Sequence, residues 1–189
     1  MKTWKDWYIP LSQKDRNLGE AFDEMQLLGA DQNKIPLIVQ LVENPKYQHW
    51  LNPFKGTGAV NLENHDYIHI LLGRGMLPLD EAFVIGFTMG STDILTDFTR
   101  GLYLFVSQHF YPKHYQFNKE EKRVYMDAAH LGYISDATPL HTIDMKSLRH
   151  LTIGEARKQL NIEEELLYGY YHIEKKRYNN SIASQRLFD

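Results

Sequence analysis

Three times in its second half the chain sets Asn or Thr three residues ahead of Glu: Asn118 with Glu121, Thr152 with Glu155, and Asn161 with Glu164. This is capping-box spacing. The first side chain accepts from the backbone N–H of the third helical residue, and the Glu reaches back to the cap's own N–H. Each pair predicts a helix start. Leu18, Phe22, Met25 and Leu28 add a helical stripe that ends at Gly29. Pro36 suits the first turn of a short helix that closes near Asn44 before Pro45, and 51–60, with Pro53, Gly56 and Gly58, reads as loop. Leu62 to Leu72 is periodic and stops at the Gly73-Arg74-Gly75 turn, after which Pro78 opens a helical segment running to roughly Phe110. β-branched alternation is scarce. The predicted fold is all-α, one multi-helix domain of seven or eight helices over 1–189, with short tails at both ends.

The chain has 189 residues, an apolar fraction of 43% and a net charge of −3, enough to bury a core and without the basic excess of a nucleic-acid surface. It has no cysteine, so disulfides, thiolate nucleophiles, zinc fingers and iron–sulfur clusters are excluded. Any metal must be held by nitrogen and oxygen. Met1 to Trp7 lacks the apolar run of a secretory signal, and Ala82 to Met89 is too short to span a bilayer. The expected location is cytoplasmic, with peripheral contact with the inner membrane compatible with the composition.

Of nine histidines, two are arranged. In His65-Asp66-Tyr67-Ile68-His69, the histidines lie four apart and share one helix face. If the chain doubles back at Gly73-Arg74-Gly75, the first turn of the next helix returns Asp80 and Glu81 beside them. Glu81 would complete a two-His, one-carboxylate set, which suits Zn²⁺ with a water or Fe²⁺ with open positions. Asp66 is placed to ligate or to hydrogen-bond a ligand or bound water. The plain alternatives are satisfied core histidines, and acids placed at a helix start by the dipole.

The pattern His-Asp-x-x-His, eleven residues, then Glu, followed here by Ile70-Leu71-Leu72-Gly73, resembles the signature of the coenzyme Q biosynthesis protein 4 family over about Asn64 to Ser91. A later stretch, Ala156 to Ile162, is similar to a family element with Arg before Leu-Gly-Ile, with Asn161 in the glycine's place. Gly56-Thr57-Gly58 matches the family's Gly-Thr-x-Gly region only loosely. The resemblance implies an α-helical protein acting on prenylated quinone precursors, peripheral to a membrane and working with other quinone-biosynthesis proteins. It also implies oxidative decarboxylation with hydroxylation at ring carbon C1. His65, His69 and Glu81 would then be metal ligands. Asp66 would be a fourth ligand or the catalytic residue that orients a bound water.

Gly86-Phe87-Thr88-Met89-Gly90 has two readings. Its glycines let another backbone approach, or Gly86, Phe87 and Gly90 line a groove for an isoprenoid tail. Asp93, Asp97 and Arg100 suit a solvated face. Tyr168, Tyr170, Tyr171 and Tyr178 around Lys175-Lys176-Arg177 suit a helix end or an anionic lipid surface. Tyr103, Phe105, Phe110, Tyr111 and Tyr115 suit core or a homodimer interface. Two other functions stay open beside the metal enzyme. One is a non-catalytic lipid-binding scaffold. The other is an HD-type phosphohydrolase using His65-Asp66 with His49 and Asp93 or Asp97.

Overall fold

The computed structural model describes residues 3–28, 60, 62–92 and 117–188. Among these residues there are seven α-helices and no strand: α1 Leu18–Leu28, α2 Leu62–Leu71, α3 Pro78–Gly90, α4 Lys119–Ile134, α5 Ile153–Gln159, α6 Glu164–Arg177 and α7 Ile182–Gln185. The predicted all-α class holds. The short helix near Pro36, the loop to residue 59 and the aromatic cluster from Tyr103 to Tyr115 lie outside the described residues.

Two of the three capping boxes form. Asn118 Oδ1 accepts from the amides of Glu120 and Glu121 at 2.8 and 3.0 Å, and Glu121 returns to the Asn118 amide at 2.6 Å. Thr152 and Glu155 make the same exchange at 3.2 and 2.8 Å. The third pair does not form. Asn161 closes α5 instead of opening α6, in the left-handed conformation at φ 54°. The Ile162 amide bonds to Arg157 O at 2.9 Å and the Asn161 amide to Lys158 O at 3.2 Å, the two bonds of a Schellman ending. Asn is the residue other than glycine that most readily takes this conformation. The residue standing where glycine was expected thus does a glycine's job.

The segment opened by Pro78 is broken after Gly90, and its predicted remainder, 93–110, lies outside the described residues. Helix α3 stops at Gly90, with Ser91 as its cap at ψ 2°. Ser91 and Thr92 turn their hydroxyls back onto Thr88 O and Met89 O at 2.9 and 2.8 Å, satisfying carbonyls that a longer helix would pair. Asp93, Asp97 and Arg100 fall outside the described residues.

Helices α3 and α4 pack with their backbones in near contact. A Cβ at Gly86 would strike Tyr125 O, one at Gly90 would strike Ala129 O, and one at Gly132 would strike Phe87 O. Residues near both ends of the described chain join the core. Trp7, Ile9, Leu11 and Leu187 are buried, and the Leu11 amide bonds to Leu187 O at 3.0 Å. No helix among the described residues is long and apolar enough to cross a membrane.

Candidate metal centre

Helix α2 ends in a second Schellman turn. Gly73 sits at φ 69°, its amide bonds to Ile70 O at 3.1 Å, and the Arg74 amide bonds to His69 O at 2.9 Å. A Cβ at Gly73 would lie 3.0 Å from Leu11 backbone atoms, so both the angle and the space call for glycine. The chain then doubles back through Gly75, which pairs with Tyr8 in an isolated antiparallel bridge. Helix α3 starts at Pro78, with Asp80 Oδ2 accepting from the Leu77 amide at 3.0 Å.

This hairpin brings three donors together. His65 Nε2 lies 3.0 Å from His69 Nε2 and 3.0 Å from Glu81 Oε2, and His69 Nε2 lies 3.4 Å from Glu81 Oε1. The group can hold a metal ion. Ligand bonds of about 2.1 Å set neighbouring donors about 3.4 Å apart in a tetrahedron and about 3.0 Å apart on an octahedral face. The observed separations fall in that range.

The protonation pattern suits the same use. His69 Nδ1 donates to the Gly75 carbonyl at 2.7 Å, because a carbonyl can only accept. In the neutral ring Nε2 then carries the lone pair, aimed at Glu81 and His65. His69 is fully buried and His65 is 6% exposed. Burial pushes the Glu81 carboxyl upward, but the attraction of His69 and hydrogen bonds from both histidines overcome it and hold Glu81 far below the usual carboxylate range. Burial pulls His69 the other way, and the nearby Glu81, Asp66 and Asp80 charges leave it raised above its ordinary value. The pair is an ionised Glu81 beside a readily protonated His69, so a metal bound here would displace that proton.

Asp66 is bonded to a different helix. It is 8% exposed, and its Oδ2 accepts from Gln26 Nε2 of α1 at 2.6 Å. Burial raises its carboxyl above the ordinary range, against the lowering influence of His65 and His69. Among the described residues, the group that could hold a metal ion is His65, His69 and Glu81. Asp80, beside Glu81 in the sequence, has a different partner. It is fully buried and turns to Arg186 Nη2 at 2.7 Å.

Gly86, Phe87 and Gly90 do not line a groove on the face their glycines present. The α4 backbone occupies that space, and Phe87 is 1% exposed. The C-terminal tyrosine cluster divides: Tyr170 and Tyr171 are core, while Tyr168 is 52% exposed. Arg177 pairs with Asp127 at 2.5 Å, and Lys175 lies over the Phe188 ring at 5.7 Å.

Sequence reasoning missed the charged residues behind the centre. Arg74 is fully buried and grips Glu174 with both arms, at 2.9 and 2.6 Å. Its guanidinium lies 3.8 Å from the Phe83 ring centre and 4.3 Å from that of Tyr171. Arg157, also buried, donates to Leu71 O at 2.8 Å and Leu11 O at 2.9 Å. The Tyr171 hydroxyl donates to Leu72 O. The signal was present in α6, where Leu167, Tyr170, Tyr171 and Glu174 share one helical stripe. An acid on an otherwise apolar face requires a buried cationic partner.

Comparison of the chain with protein-family models, with curated proteins and with solved structures gave no match.

Proposed function

We propose that this protein holds a divalent metal, Zn²⁺ or Fe²⁺, through His65, His69 and Glu81. On this reading it acts in quinone biosynthesis on the ring of a prenylated aromatic precursor. The ring's C1 carboxyl leaves as CO₂ and a hydroxyl takes its place, a two-electron oxidation that requires dioxygen or another oxidant. The observation that carries the reading is the convergence of three donors at 3.0–3.4 Å from positions 65, 69 and 81. The reaction class rests on the resemblance of His65-Asp66-x-x-His69, eleven residues, Glu81 to a quinone-biosynthesis signature.

When bound, either ion would supply a Lewis-acidic centre with open positions, and only Fe²⁺ could also activate oxygen for the oxidation. The chain's own residues do the rest. Gly75 O fixes the ring of His69 and its tautomer. The attraction of His69 and hydrogen bonds from both histidines favour the ionised form of Glu81. Asp66, steadied by Gln26, offers a second carboxylate close to the histidines, in position to orient a water or take a proton.

The HD-type reading also calls on His49 and Asp93 or Asp97, which lie outside the described residues. A non-catalytic scaffold remains the competitor. It is separated from the enzyme by whether His65→Ala abolishes turnover or only lowers abundance. The first test is metal analysis of the purified protein. About one ion per chain is expected, falling to near zero in His69→Ala. Protein that carries no metal, or a His69→Ala variant that keeps it, overturns the reading.

A further inference from the structure

The hairpin that carries the metal donors is gripped from behind by the C-terminal segment. Four buried charges do this: Arg74 in the turn, Asp80 one residue before the ligand Glu81, Glu174 on α6 and Arg186 just after α7. They balance as two positive and two negative. Glu174 takes both arms of Arg74 and a third bond, from Ser184 Oγ at 3.0 Å. Arg186 gives one arm to Asp80 Oδ2 at 2.7 Å and the other to Lys5 O at 3.1 Å.

These contacts meet the metal donors through short backbone links. The Arg74 amide bonds to the carbonyl of His69, and the next residue, Gly75, accepts from His69 Nδ1. His69 is therefore held at both ends by residues 74 and 75. Arg186 passes directly over Gly75, where a Cβ would strike its Nη2 and would lie 2.8 Å from Trp7 O. Asp80 ties the start of α3 through the Leu77 amide, and so sets the direction from which Glu81 approaches.

We infer that Arg186 and Glu174 are positioning residues for the metal centre: by clamping Arg74 and Asp80 they fix the turn that orients His69 and the helix start that presents Glu81. The inference rests on the metal reading above. It adds that residues about 100 positions away in sequence tune that centre without touching the ion. Groups bonded directly to metal ligands typically change affinity by about 10- to 100-fold when lost, and Glu174 and Arg186 act one step behind them, at the low end of that range.

The test uses Co²⁺ as probe, with the full-length chain. Wild type, Arg186→Gln and Arg186→Lys are compared by Co²⁺ titration, by the visible d–d absorption of the bound ion, and by thermal unfolding of the metal-free protein. Arg186→Gln removes the charge and the fork. It is expected to keep the helical circular-dichroism spectrum, to bind Co²⁺ about 10-fold more weakly, and to change the visible band. Arg186→Lys keeps the charge without the two-armed reach and is expected to fall between the two. It also serves as the readable variant if Arg186→Gln does not fold. A folded variant with a lowered midpoint but unchanged Co²⁺ affinity and band would mean a merely structural role, and overturns the inference. Failure of wild type to bind Co²⁺ overturns the metal reading and the clamp together. Unchanged variants beside a binding wild type overturn the clamp alone.

Discussion

His69 carries more constraints than any other residue of the centre. Its carbonyl accepts from Arg74, its Nδ1 donates to Gly75, and its Nε2 faces His65 and Glu81. Asp66, one residue from His65, has a different task, because its carboxylate is held by Gln26 from another helix. Asp66→Asn should therefore leave the metal-to-protein ratio at its wild-type value, with affinity changed by less than about 100-fold. Turnover should fall far more if Asp66 moves a proton. Elemental analysis beside a turnover assay checks this, and loss of the metal itself would restore Asp66 to the ligand set. The donors were legible in the sequence because helical spacing of four, a turn and an acid in the next first turn are local facts. Gln26 was not, because its link to Asp66 spans 40 residues and depends on how α1 lies against α2.

Helix ends and helix contacts explain which elements were legible. The boxes at Asn118 and Thr152 formed because a cap and its Glu satisfy each other without outside help. The third, at Asn161, gave way to a competing use of the same residue, ending α5 at positive φ. Nothing local separates those two uses. The glycines of α3 were legible as a pair with two meanings, and α4 decides between them by filling the space. Gly90→Ala should then destabilise the fold by about 1–3 kcal/mol, since its methyl group meets Ala129 backbone atoms that cannot move aside cheaply. Chemical denaturation measures the loss. An unchanged midpoint would mean that the α3–α4 contact is loose, and would reopen that face to a ligand. Metal stoichiometry should not change, because Gly90 lies two turns beyond Glu81.

At the scale of the whole molecule, the group that could hold a metal ion and part of the core share one hairpin, so stability should report on both. In the metal-free protein, His69 binds its proton more tightly folded than unfolded. That contribution is complete below its ordinary value of 6.5 and is lost as pH rises through the folded value. Glu81 binds its proton less tightly when folded, so its contribution is present above 4.5 and fades only in strong acid. The pair thus favours the metal-free fold most between pH 4.5 and 6.5. A metal needs the same ring without its proton, and so gains as that proton leaves. At free metal 100 times Kd the stabilisation is about 2.7 kcal/mol, or roughly 5–10 °C in Tm for a chain of this size. Thermal scans with and without Zn²⁺ should show that shift at pH 8, a much smaller one at pH 5.5, and none after chelation. Equal shifts at both pH values would mean that the ion binds somewhere other than His69.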